Sequence, residues 1–396
     1  MQIYADNAAT TRLSDTALNA MLPYMQAEYG NPSSLHSVGQ RAQEALTEAR
    51  AHIAARLGCQ PTEVIFTSGG SEADNQAIRS AAAFGKLKGK THIISTAFEH
   101  HAVLHTLEAL EKEGFTVTLL DVHEDGMVSA QQVEEAITDE TCLVTIMYAN
   151  NEIGTVQPIA EIGEVCRRHG VLFHTDAVQA VGHLPVNVVE QNIDMLSLSA
   201  HKFHGPKGIG VLYARRGVPI FPLIHGGAQE RNRRGGTENI PAIVGMAAAL
   251  DEACDHLEED TAKLTALRER LIAGLSNIPH SVLNGHREHR LPGTVNFCFE
   301  GIEGESLLLL LDDKGVYASS GSACTSGSLD PSHVLLAIGR PHEIAHGSLR
   351  LSLSPDTTEE DVDYMVEAVT DVVAYLRSIS PVWRNLEAGI QEFIIQ

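Results

Sequence analysis

Residues 63–84 read EVIFTSGGSEADNQAIRSAAAF, and the order of features in them decides the kind of fold. An apolar run, Val64 to Thr67, ends at a glycine pair, and the residues after it carry the spacing of a helix. A short apolar run closed by glycine is a buried strand, and a helix beginning directly after it folds back over the sheet. The unit recurs along the chain. THIIST leads to HHAVLHTLEALEKEG, and CLVTIMYAN leads through a loop to IAEIGEVCRRHG and then VLFHTDAV. DMLSLSAHKF and GIGVLYARRG continue the sheet, with GPKG as the turn between them. This alternation predicts an α/β fold with a mostly parallel sheet covered by helices, and places ligands at the carboxyl ends of the strands.

A second regime begins near residue 240. AIVGMAAALDEACDHLEEDTAKLTALRERLIAGL reads as one or two long amphipathic helices. TVNFCFEG, ESLLLLLDDKG, PSHVLLAIG, GSLRLSLS and TTEEDVDYMVEAVTDVVAYLRS then make a smaller α/β unit. The division drawn is a large domain over 12–258 and a small one over 259–396 together with 1–11. The tail after Ser380 carries no firm structural signal.

Composition excludes several partners. The 396 residues carry 28 basic and 51 acidic side chains, a net charge of −23, which repels nucleic acid and anionic membrane surfaces. No basic-then-apolar leader opens the chain, and no apolar run reaches the roughly 20 residues of a bilayer span. The expectation is a cytoplasmic protein. Cys59, Cys142, Cys166, Cys254, Cys298 and Cys324 include no CxxC pair, so no intrinsic zinc or iron–sulfur site is expected. Five of the six lie in helical or strand-like patterns. Cys324 instead lies in SSGSACTSGSL, residues 319–329, where no bulky side chain surrounds it. A reactive thiol must be reachable and able to ionise, as a thiol on such a loop would be. His100, His101 and His105 share part of one helical face, but a metal would need ligands from elsewhere, and solvated imidazoles are expected.

Two strand ends carry the chemistry. Six of the eight lysines sit in charged helices or turns; Lys202 closes DMLSLSAHK directly after His201. Partial desolvation and a second potential cation beside it both favour a nucleophilic amine. Lys207, in the GPKG turn, is the weaker candidate. HTDAVQ, residues 174–179, places Asp176 at the end of another strand. A lysine that holds an aldehyde as an imine, with an acid that keeps a pyridinium protonated, is what pyridoxal phosphate requires. TSGGSEADN supplies the phosphate cradle, with Gly69, Gly70 and Ser71 between a strand and the first turn of a helix, Ser71 starting the helix. GxxxxGK[ST] and a strand-following GxGxxG are both absent, which favours a small phosphate over a nucleotide. HGGAQERNRRGGTEN adds a second Gly-rich, Arg-bearing loop.

Together with DNAATT, GNPSSLH, EHHAVL, NNEIGT and RLSLS, these motifs resemble the cysteine desulfurases over nearly the whole chain, and within them the nitrogen-fixation (NifS-like) branch. The resemblance implies a pyridoxal-phosphate enzyme of fold type I with a seven-stranded sheet. It implies that Lys202 binds the cofactor, that His100 stacks on the ring and acts as acid and base, and that Asp176 pairs with the ring nitrogen. Gln179 and Asn151 would contact ring substituents. Gly70, Ser71, Ser199 and His201 would hold the phosphate, with Thr237 reaching it from a second subunit of a homodimer. Arg350 would bind the substrate carboxylate, and Asn31 would line the same pocket.

Cys324 would then attack the sulfur of L-cysteine, leaving a persulfide and L-alanine. The sulfur would go to an iron–sulfur scaffold, NifU-like or IscU-like, for nitrogenase maturation; Cys324 could transiently ligate a cluster shared with that scaffold. The alternatives are a housekeeping IscS-like desulfurase and a selenocysteine lyase. An aminotransferase has no use for the thiol, and scattered cysteines argue against a cofactor-free cluster scaffold. Ala200 replaces a common glycine, Ser71 replaces a common threonine, and PVWRNLEAGIQEFIIQ matches the family poorly. No GxSxG elbow is present.

Overall fold

The computed structural model describes residues 2–320 and 331–395, so Cys324 lies outside the described residues. The strands are β1 (Ile3–Tyr4), β2 (Val64–Thr67), β3 (His92–Thr96), β4 (Thr116–Leu120), β5 (Thr141–Thr145), β6 (Leu172–Asp176), β7 (Met195–Ser199), β8 (Gly210–Ala214), β9 (Ser281–Leu283), β10 (Thr294–Phe299), β11 (Val316–Tyr317) and β12 (Ser348–Ser352). Seven of them form one sheet in the order β2-β8-β7-β6-β5-β3-β4. Its pairings are parallel except at β8, which runs antiparallel to both β2 and β7. The GPKG turn is too short for a crossover helix, so β8 must return beside β7. Glycine lets it lie close: a Cβ at Gly210 would stand 2.5 Å from the Leu198 carbonyl and 2.7 Å from Gly69 Cα.

Both faces of the sheet are covered. Ile65, Ile93, Leu143, Met195 and Leu212 pack under the helices Gly70–Leu87 and His101–Lys112. Phe66, Ile94, Val144, Phe173 and Leu196 face the helices Ser37–Leu57, Ile159–His169 and Ile240–Asp255. Strands buried on both faces read as continuous apolar runs.

A separate core joins Ile3 and Ala5 to residues between Leu264 and Leu376. It lies around the antiparallel sheet β12-β10-β9, the parallel pair β1-β11, and the helices Leu257–Leu275, Gly304–Asp313 and Glu359–Ile379. The PSHVLLAIG segment departs from its expected grouping, because Val334, Leu335 and Ile338 pack into the core of the large sheet. The tail also has structure. Ser380 caps a helix Pro381–Glu387 with proline in its first turn, and the Glu300 carboxylate accepts from the Ile394 and Ile395 N–H groups.

Candidate active site

Lys202 ends a single 3₁₀ turn, Ala200–Lys202, just past the carboxyl end of β7. Its Nζ donates to the Ala8 carbonyl at 2.6 Å and the Ala9 carbonyl at 2.9 Å. Gln179 Nε2 donates to the same Ala8 carbonyl at 2.9 Å. The DNAATT segment is thus a strap across the site. It is fixed by Thr11 Oγ1 on the His201 carbonyl at 2.9 Å and by His201 Nδ1 against Thr10 Oγ1 at 3.0 Å. One expectation fails here. Burial, with Lys202 and Lys207 nearby, pushes the His201 imidazole down to about 4, so it is a neutral neighbour and not a second cation.

The strand ends change character on one face of the sheet. Beneath helix Gly70–Leu87, Leu143, Leu172 and Met195 give way toward the carboxyl ends to Thr145, to His174 and Asp176, and to Ser197. Side chains alternate with a period of two, so these polar groups share a face. Asp176 is 5% exposed and accepts from the Val178 N–H at 2.9 Å. Burial raises its proton affinity, opposed by His100, that N–H and Lys202. His100 caps helix His101–Lys112, with Nδ1 accepting from the Ala102 N–H at 3.1 Å. Burial lowers its proton affinity; Asp176 opposes this, and Lys202, His101 and His333 add to it. The neutral ring therefore carries its hydrogen on Nε2. One atom each of Asp74, His100 and Asp176 lies within 4.8 Å of the others.

At the start of helix Gly70–Leu87 the cap is Gly69, and no side chain caps that end. Ser71 is the second helical residue and exposed, not the residue that starts the helix. Open N–H groups and the positive end of the helix dipole face outward there. Ser199 Oγ stands 3.6 Å from where a Gly69 Cβ would be. The HGGAQERNRRGGTEN loop is tied below this turn. Glu230 pairs with buried Arg50 at 2.6 and 2.7 Å, Arg234 pairs with Glu72 at 2.9 Å, and Gln76 Nε2 donates to the Arg233 carbonyl at 2.7 Å. Glu230, Arg231 and Asn232 are all left-handed, at φ 46, 58 and 62°. Thr237, near the end of the loop, is exposed.

Arg350 lies on β12 and is 2% exposed. Its Nη2 meets Asp6 Oδ1 at 2.7 Å and its Nη1 donates to the Asn151 carbonyl at 2.9 Å. The backbone groups of Arg350 and Ser319 pair at 2.6 and 3.3 Å. Ser332 donates to Glu152, whose burial pushes its carboxyl up to about 6 against the effects of Ser332 and Arg350. The described residues on either side of the Cys324 segment are therefore fastened at Arg350 and Glu152. Asn31 is exposed in a turn where it accepts from the Ser33 N–H; no hydrogen bond joins it to Lys202, Asp176 or Arg350 among the described residues.

Burial raises all five described thiols, Cys59 to about 12 and Cys142 and Cys298 to about 11. Cys142, Cys166 and Cys298 are buried small hydrophobes, and Cys59 and Cys254 are half-buried. The expected solvation of the helix histidines holds for His105; His101 is half-buried, its ring 4.9 Å from His105 and 4.6 Å from His333. Asp6, Asp74, Glu99, Glu152 and His174 were not singled out by sequence reasoning. Each nevertheless lies inside a quoted motif: Asp6 in DNAATT, Asp74 in TSGGSEADN, Glu99 in EHHAVL, Glu152 in NNEIGT and His174 in HTDAVQ.

The sheet order and the comparisons define the class first. The model of the aminotransferase class-V family matches residues 3–365, and the fold is type I of the pyridoxal-phosphate enzymes. A solved NifS-like protein superposes with a TM-score of 0.89 at 40% identity, covering 95% of this chain and 100% of that one. Another, titled "SspA in complex with cysteine", gives 0.79 at 41% identity over 90% of this chain and 99% of its own. The cysteine desulfurase IscS of Methanosarcina thermophila is 56% identical across 96% of this chain and 94% of its own. A cysteine desulfurase of Nostoc sp. is 50% identical across 98% and 96%. The chain belongs to the cysteine desulfurases of the IscS/NifS-like group, which take sulfur from L-cysteine and leave L-alanine.

Proposed function

We propose that the chain works with pyridoxal 5'-phosphate and collects sulfur as a persulfide on Cys324. The observation that carries this is the approach of Lys202, at the end of β7, to the buried Asp176 and His100 beside the end of β6. The residues fit the group. Asp176 presents a carboxylate in a site that otherwise disfavours charge, the uncapped turn at Gly69–Gly70 suits a phosphate, and a Cβ at Gly70 would fill the space at Val178, 2.6 Å from its Cγ2. Gly70, Ser71, Ser199 and His201 would hold the phosphate, Gln179 and Asn151 the ring substituents, and Lys202 the aldehyde.

When bound, the cofactor supplies an electron sink that weakens the substrate's Cβ–S bond. The chain's own residues do the rest. Asp176 balances the charge of the ring nitrogen. His100 holds and moves a proton at Nε2. Arg350 receives the substrate carboxylate in exchange for Asp6, and Asn31 lines that pocket. The Cys324 thiolate takes the sulfur: an S–S bond forms, the Cβ–S bond breaks, and Cβ gains a proton. Ser319 and Ser332 support this role, because they start and end the segment beside Arg350 and Glu152.

The reading extends to a homodimer in which Thr237 reaches the partner's phosphate, to the domain division at 258/259, to a cytoplasmic setting, and to an iron–sulfur scaffold as acceptor. No helix among the described residues is long and apolar enough to cross a membrane. Relatives named IscS, at 56% and 53% identity, favour general cluster supply. Nitrogenase maturation is the second reading, supported by the RRGGTEN motif and the NifS-like structural neighbour.

The test is alanine and sulfide production from L-cysteine with a thiol reductant, comparing the chain with Cys324→Ala, both loaded with pyridoxal phosphate. Alanine from the first and none from the second is expected. Equal alanine from both removes the role of Cys324, and activity of the variant confined to selenocysteine points to a lyase.

A further inference from the structure

Asp74 has no place in the chemistry above, yet it lies at its centre. It projects from helix Gly70–Leu87, is 1% exposed, and its Oδ1 has no hydrogen-bond partner. Around it are Asp176, Glu99, Ser197 and His174, whose Nε2 stands 3.6 Å from that oxygen. His174 cannot neutralise it. The ring is fully buried, which pushes it down to about 3, and it is fixed by Thr145 Oγ1 at Nδ1 (2.8 Å) and Ser197 Oγ at Nε2 (3.0 Å).

Two carboxylates this close in a dry interior do not both ionise. Their surroundings decide which keeps the proton. Asp176 has the Val178 N–H, His100 and Lys202 on its open side. Asp74 has a neutral imidazole, one hydroxyl and two other acids. A bare anion there would lack the solvation and donors that burial takes from it. Burial first and Asp176 next hold the Asp74 carboxyl well above the usual range, against Ser197.

We propose that Asp74 is a positioning residue for Asp176: an uncharged acid beneath it that leaves Asp176 the single anion available to a cofactor's ring nitrogen. Asp74 touches neither cofactor nor substrate. It fixes where the one negative charge of the pair resides, with His174 and Ser197 as a neutral backing. The inference rests on the reading of Asp176 as the partner of that nitrogen.

The experiment is infrared spectroscopy at neutral pH on the full chain, isotope-labelled at the aspartate side-chain carboxyls, without cofactor and then with pyridoxal phosphate. A labelled C=O stretch of an un-ionised acid is expected in both states, and it should vanish in Asp74→Asn. Its absence from the unmodified chain, or its persistence in Asp74→Asn, overturns the proposal. Ser197→Ala removes the hydroxyl beside Asp74 and is expected to move the band; a band unmoved by both substitutions places the proton on another aspartate and also overturns it. Because the amide is as uncharged as the acid, Asp74→Asn should keep the pyridoxal phosphate dissociation constant within about threefold. Weakening of about tenfold or more would mean that Asp74 carries charge. The spectrum of the cofactor-free chain stands apart from the cofactor reading: an intact band in a protein that takes up no pyridoxal phosphate sinks that reading alone.

Discussion

Glu99 is buried completely although it accepts hydrogen bonds from the Met147 N–H and from Thr96 Oγ1. Burial outweighs those donors and pushes its carboxyl up to about 8, whereas the unfolded chain releases the proton near 4.3 or so. The folded state therefore binds the extra proton between these values, and Glu99 loses its contribution to stability as pH rises toward 8. Glu99→Gln should gain on the unmodified chain by up to about 1.4 kcal/mol per pH unit across that window, read from urea unfolding at a series of pH values. A constant difference between the two would mean that Glu99 is ionised throughout. Such residues explain what the sequence hides. Lys202 and Asp176 stand out because each closes an apolar strand, while Asp74 and Glu99 close none and carry no mark of burial in the sequence. Only the packing of a helix over strand ends tells a buried acid from an exposed one.

At the scale of elements, the Gly70 turn and the segment after β6 meet at one contact. A Cβ at Gly70 would press on the stiff Val178 side chain, and the Val178 N–H orients Asp176. Gly70→Ala should weaken pyridoxal phosphate binding by about tenfold, and the double variant with Val178→Ala should recover most of it. A titration followed by cofactor absorbance measures both; equal weakening in the single and double variants would remove Val178 from the argument. The parallel strands were legible because each apolar run is followed by a helical pattern. The reversal at β8 is written in the GPKG turn, whose shortness leaves no room for a crossover helix, and not in the apolar run itself, which carries no mark of its direction. The tail helix was overlooked although Ser380–Pro381 is a helix-start signal; seven residues with one buried leucine give too little periodicity to see.

Across the whole molecule, apolar side chains remain exposed on and after helix Asp15–Gln26, at Leu18, Leu22, Met25 and Tyr29, and near the Arg-bearing loop at Phe221 and Leu223. The homodimer proposed above would have these side chains to cover. Sedimentation of the intact chain should give twice the 42.7 kDa of one copy, and a monomer at working concentration would remove Thr237 from the phosphate site. One more consequence concerns the Ala8 carbonyl that receives Lys202. The strap bearing it begins as β1, paired with β11, and β11 ends seven residues ahead of Cys324. The strap that receives the amine and the chain that leads toward Cys324 thus leave from one two-stranded ribbon.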